Sequence, residues 1–221
     1  MSSQLEEVLK HRYIYMPRGT QTDTIQAGKR LGLAVAGANR AQLTIVAARK
    51  DSASHVPEFA KLDIVTERSG FPQDDGVVLA WCPTYKVMEK VQHLEHSVVV
   101  LVEWLSGEFD AWAQLVGAYN VVIGQVMNAG LSAETSEALE GIVREGYNGW
   151  TKTTDELLTL SYLRDLEAAG TYNRELVLAY ARQSKSEETI TRLIKLLTRF
   201  EAAQKQPPAT SGSDFPTSRR W

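Results

Sequence analysis

Val98 to Val102 is an unbroken aliphatic run, and Glu103 follows it directly. A carboxylate at the end of such a run is costly to bury unless it is paired or used. Glu103 is therefore the candidate general base, or the acceptor for a ligand hydroxyl or amine. A structural partnership with Arg18 or Lys86 would explain it equally well. Trp104, the next residue, offers a flat face on which a planar ligand could stack.

A second cluster lies in Pro17-Arg18-Gly19-Thr20-Gln21-Thr22-Asp23-Thr24. Arg18 supplies a guanidinium, Gly19 permits close backbone approach, and Thr20 and Thr22 supply hydroxyls. Followed by the free N–H groups of a helix start, these are the groups a phosphate needs. The same residues also make an ordinary polar turn with Asp23 or Thr24 as the helix cap. Asp51, in Arg49-Lys50-Asp51-Ser52, stands where an acidic residue could hold a ribose hydroxyl. Thr84, in Trp81-Cys82-Pro83-Thr84, would bring a hydroxyl and another helix start to the same ligand.

Other chemistry is poorly represented. There is neither GxxxxGK[ST] nor a GxGxxG between a strand and a helix, which disfavours a P-loop and leaves NAD or ATP use unsupported. Gly28, Gly32 and Gly37 lie inside a helix, where they would allow it to approach a sheet closely. Cys82 is the single cysteine, so it forms no intramolecular disulfide and reads as a buried, inert thiol. His93 and His96 share a helix face, but a metal site needs further ligands and none is evident. No metal site is expected, and no cofactor is assigned.

These residues need elements to hold them. Strands are expected at 12–16, 43–48, 61–66, 76–82 and 97–104, with a weaker one at 121–124. Helices are expected between them at 24–38, 84–95 and 108–120. Strands alternating with helices imply crossover connections. The fold class is therefore α/β: a Rossmann-like, mostly parallel sheet with flanking helices over residues 1–130. From Ser132 onward the pattern is helical only, with Ser132, Asn173 and Ser186 as caps and Gly146, Gly149 and Gly170 as stops. That defines an all-helical C-terminal segment over 131–205, followed by a tail over 206–221 rich in Pro, Ser, Thr and Gly and expected to be flexible.

The net charge of −3 gives no overall attraction for nucleic acid. No apolar run is long enough to cross a bilayer, and the polar N-terminal stretch lacks an apolar leader. A cytoplasmic protein is expected, with no membrane partner. In open parallel sheets ligands gather at the carboxyl ends of the strands. The reading is thus a protein that holds a small anionic ligand, a nucleotide or phosphorylated metabolite, as a binder or as a transferase or hydrolase. The alternative is a regulatory or interaction protein whose C-terminal helices mediate homo-oligomer formation or DNA contact, since the helix over 187–204 carries an apolar stripe that something must cover.

Overall fold

A computed structural model describes residues 3–19 and 23–204. In chain order it contains α1 (Ser3–Val8), β1 (Tyr13–Met16), α2 (Asp23–Asn39), β2 (Leu43–Val46), α3 (Lys50–Ser54), β3 (Asp63–Val65), β4 (Val77–Trp81), α4 (Tyr85–Met88), β5 (Val98–Val102), α5 (Asp110–Leu115), β6 (Tyr119–Asn120) and β7 (Gln125–Val126). Four helices complete it: α6 (Ala133–Glu145), α7 (Thr153–Ala168), α8 (Arg174–Arg182) and α9 (Glu187–Gln204).

The strands form one sheet in the order β3-β2-β4-β5-β1-β6-β7, parallel except for the β6–β7 pair. In the usual dinucleotide-binding arrangement the first two strands are neighbours. Here β4 and β5 lie between β1 and β2. The aliphatic strands β4 and β5 are central, which is why they read as continuous apolar runs rather than as alternating ones. Val77, Leu79 and Trp81 enter one apolar layer with α1, α2 and α3. Val78 and Ala80 enter the opposite layer with α4 and α5.

From β1 the chain leaves through α2 towards β2. From β5 it leaves through α5, on the other face, towards β6 on the far side of β1. The connections from the neighbouring ends of β1 and β5 therefore leave the carboxyl edge on opposite faces of the sheet, at the edge where open parallel sheets receive ligands. Helix α2 sits very close to the sheet: a Cβ on Gly28 would lie 2.6 Å from Val102, and one on Gly32 2.8 Å from Leu79. Gly37 has nothing within 4 Å, so the packing reason expected for all three glycines holds for two.

Several element boundaries differ from expectation. The run at 121–124 is not a strand but the turn between β6 and β7. The Asn120 Oδ1 accepts the N–H groups of Val122 and Ile123 at 3.0 and 3.3 Å, and Gly124 adopts φ +68. The helix expected over 84–95 is reduced to α4, followed by turns closed by Lys90 N–H to Val87 and Val91 N–H to Met88. The helix expected over 108–120 ends at Leu115, where Gly117 turns the chain at φ +64 into β6. Residues 50–54 form a short helix where a loop was expected.

The C-terminal helices follow the sequence closely. Ser132 caps α6 by accepting the Thr135 N–H at 3.2 Å, and Asn173 caps α8 by accepting that of Leu176 at 3.0 Å. Gly149 and Gly170 take left-handed φ of 72 and 69 at the stops. Helices α6 to α9 enclose a separate core of Leu139, Ile142, Leu163, Val177, Ile190, Leu193 and their neighbours. The apolar stripe of α9 is thus covered by the chain's own helices, not left for a partner. The two cores meet at Arg182, whose guanidinium lies 3.5 Å from the centre of the Tyr85 ring and bonds Glu187 at 2.6 Å. The tail expected over 206–221 lies outside the described residues. Among the described residues no helix is long and apolar enough to cross a membrane.

Candidate ligand crevice

Glu103 is completely buried. Its Oε2 accepts the backbone N–H of Arg18 at 2.9 Å and of Gly107 at 3.1 Å, while Oε1 accepts that of Phe109 at 2.8 Å. One carboxylate therefore ties the loop leaving β1 to the loop leaving β5. Charge-assisted bonds of this kind are about twice as strong as neutral ones, and three of them offset the burial of the charge. Glu103's own N–H donates to the Met16 carbonyl at 3.0 Å, extending the β1–β5 ladder by one step. Of the roles expected for Glu103, the geometry matches the structural partner of Arg18. The contact is to Arg18's main chain and not to its guanidinium.

Tyr15 lies beneath this bracket. Its hydroxyl donates to Asp110 Oδ1 at 2.8 Å. Burial, the hydrogen bond to Asp110 and the nearby Glu103 charge all push its pKa far above the usual tyrosine value. It remains a neutral donor joining β1 to the start of α5.

Arg18, its main-chain N–H held by Glu103, turns its guanidinium to Trp104. The group lies over the Trp104 ring, 4.9 Å from the centroid, an attraction worth about 0.5–1 kcal/mol at a partly exposed site. Trp104 is itself 55% exposed. On the other side is Cys82, whose thiol burial pushes up to about 11 although the Arg18 charge pulls it down. The shift favours the protonated thiol near neutrality. Arg18 Nη1 is buried and has no hydrogen-bond partner among the described residues. A guanidinium carries five donors and is almost always saturated when buried.

The other expected ligand residues are more dispersed. Gly19 is exposed; Thr20 and Thr22 lie outside the described residues. Thr84 caps α4 by accepting the Val87 N–H at 3.3 Å and gives its proton to Glu67 at 2.7 Å, so its hydroxyl is already occupied. Asp51 is exposed in α3 and pairs with Arg49 at 2.7 Å, near the end of β2 rather than beside Arg18. Trp81, by contrast, is core, packed edge-on against Phe59 at 5.2 Å. His96 is engaged by Asp74 at 3.2 Å, and no metal-binding group of His, Cys, Asp and Glu is present among the described residues.

Two features escaped sequence reasoning. Lys90 is buried, and its ammonium donates to the carbonyls of Thr66 at 2.6 Å, Gly70 at 3.0 Å and Ser69. It ties down the loop that follows β3. Asp74 accepts the successive N–H groups of Glu95, His96 and Ser97 at 2.7, 2.9 and 3.0 Å, which holds its carboxyl well below the usual range. Neither has a local signal, because each serves backbone groups some twenty residues away. The fold defines an α/β protein with a mostly parallel sheet and a C-terminal helical layer. No family model, curated protein or solved structure matches the chain.

Proposed function

We propose that the protein binds a small anionic ligand, a nucleotide or phosphorylated metabolite, in the crevice between the carboxyl ends of β1 and β5. The observation that carries this reading is Arg18 Nη1, a buried donor without an acceptor among the described residues, on a side chain that lies over Trp104 at the edge where such sheets receive ligands. A phosphate or carboxylate oxygen would complete it with a charge-assisted bond. The start of α2, reached five residues after Arg18, adds the favourable end of a helix dipole. Trp104 props the guanidinium on one side and leaves room for a planar group.

Binding, not a defined reaction, is the extent of this reading. The two crevice groups suited to nucleophilic or base chemistry are both committed: the thiol of Cys82 by burial, the carboxylate of Glu103 by three backbone donors. Glu103 is assigned as a positioning residue. The test is a thermal-shift panel of nucleoside phosphates and sugar phosphates on the wild type and Arg18→Ala. At least one anion should raise the melting temperature of the wild type. The substitution should weaken that ligand by about 1.5–3 kcal/mol while leaving the unliganded melting temperature nearly unchanged. Equal affinity in Arg18→Ala, or no stabilisation by any member of the panel, would remove the assignment.

A further inference from the structure

A cavity of about 620 Å³ opens at the carboxyl ends of β1 and β6, on the face that carries α1 and α2. Its walls are apolar: Leu5 and Val8 of α1, Met16 of β1, Leu31 of α2 and Val121 after β6. Ala27 and Ala34 flank Leu31 at helical spacing, so a single stripe of α2 faces the space. Both are short side chains, and the room they leave is part of the cavity. The adjacent stripe of α2 is pressed onto the sheet through Gly28 and Gly32, which holds this wall in place. The lining shares no residue with the contact of Arg18, Cys82 and Trp104, so the inference does not rest on that site.

The polar groups of the lining narrow what could enter. Gln4 Nε2 donates to the Val121 carbonyl at 3.5 Å, and Thr24 has a partner of its own. A sugar or nucleoside would therefore bury hydroxyls and ring nitrogens against walls that offer them little, which is costly. Arg30 is the one charged residue of the lining. It is exposed, and it has neither an ion pair nor a hydrogen bond among the described residues. Val122, 64% exposed, carries the apolar surface out to the rim. An apolar interior thus meets a single uncompensated cation at its mouth.

We propose that this cavity binds a single-chain fatty acid, with the tail among the apolar walls and the carboxylate at Arg30. Its volume falls within the range of about 300–1,000 Å³ that small-molecule pockets occupy. At about 30 Å³ for each water-sized group, a ten-carbon tail takes roughly half of it. Each methylene removed from water tightens binding by up to about fourfold, so the tail supplies most of the affinity. An exposed ion pair adds only about two- to fivefold, and it fixes which end of the ligand lies at the mouth.

The experiment titrates the full chain calorimetrically with hexanoate, octanoate and decanoate, and with 1-octanol as the uncharged counterpart. Affinity should rise about five- to fifteenfold for every two methylenes added. Ala34→Phe fills the cavity and should abolish binding of all four compounds, with circular dichroism confirming the native helix content. Arg30→Gln changes an exposed residue and should leave the fold intact. It should weaken octanoate about two- to fivefold and leave 1-octanol unchanged. Failure of decanoate to bind the wild type, affinities that do not rise with tail length, or binding that survives Ala34→Phe would each overturn the proposal. An equal effect of Arg30→Gln on octanoate and 1-octanol would overturn the placement of the carboxylate.

Discussion

The carboxylate of Glu103 receives the backbone N–H of Arg18 at 2.9 Å across two loops that leave the sheet in opposite directions. A side chain of β5's end thus decides where the chain goes after β1. The guanidinium takes no part in the bond and lies over the Trp104 ring instead.

Glu103→Gln tests this bond. An amide presents one oxygen and one NH₂ group, so at least one of the three N–H donors from Arg18, Gly107 and Phe109 would face another donor. Loss of the charge-assisted bonds together with a buried unsatisfied group should cost about 2–4 kcal/mol. Urea denaturation measures it. A variant as stable as the wild type would show that the bracket contributes nothing.

Cys82 makes a prediction about pH. Burial pushes its thiol up to about 11 from the ordinary value of 9.0. At pH 8 only about one molecule in a thousand would carry the thiolate, the form that reacts. Alkylation by iodoacetamide should therefore be very slow and should rise about tenfold per pH unit up to about pH 11. Because the Arg18 charge lowers the value, Arg18→Ala should move the profile to still higher pH. The unfolded chain releases this proton first, so the thiol's contribution to stability is complete below about pH 9 and is lost as pH rises through 11. Rapid alkylation of the native protein at pH 7 would contradict the assignment.

The glycines of α2 supply an internal comparison. Gly28→Ala drives a methyl group against Val102 and should cost about 1–3 kcal/mol. Gly37→Ala meets nothing and should stabilise the helix by up to about 1 kcal/mol. Thermal melts of the two variants should move in opposite directions. Movement in the same direction would mean that α2 does not press on β5 at Gly28.

Much of this was legible in the sequence, for definite reasons. Central strands covered on both faces have to be apolar throughout, so β4 and β5 announce themselves at Val77–Trp81 and Val98–Val102. Helix caps are local chemistry, and Ser132 and Asn173 act within three residues of themselves. Glu103 drew notice because a charge ending an apolar run needs an explanation. What the pattern could not carry was long-range partnership. Nothing local distinguishes Lys90 from a solvated lysine on an amphipathic helix, or Asp74 from a turn aspartate. The exposed Val122 and Ile123 imitate a strand because composition is blind to the Asn120 side chain that folds them into a turn. Strand order, likewise, depends on which crossover skips which neighbour.

Asp74 makes an acid-side prediction. Its pKa is depressed because the N–H groups of Glu95, His96 and Ser97, with the His96 ring, favour its charged form. An acid with a lowered folded value contributes stability above its unfolded pKa, near 4, and loses it as pH falls. Asp74→Asn should therefore lower the urea midpoint at pH 7, and the gap from the wild type should narrow as pH falls below 4. A gap that stays constant from pH 7 to pH 3 would show that the charge is not what matters.

The position of β1 bears on how the chain acquires its structure during synthesis. Tyr13 is aligned with Val99, and Ile14 with both Val100 and Tyr119. Strand β1 therefore has neither lateral neighbour until the 81 residues between Met16 and Val98 have been made. Pairings this remote in sequence are slow to close and leave an apolar strand, Tyr13–Met16, waiting. Its brevity, four residues beside the polar Pro17-Arg18-Gly19, limits the edge it offers to stray chains in that interval. The same separation means that Arg18 acquires its bracket only once Glu103 has been made.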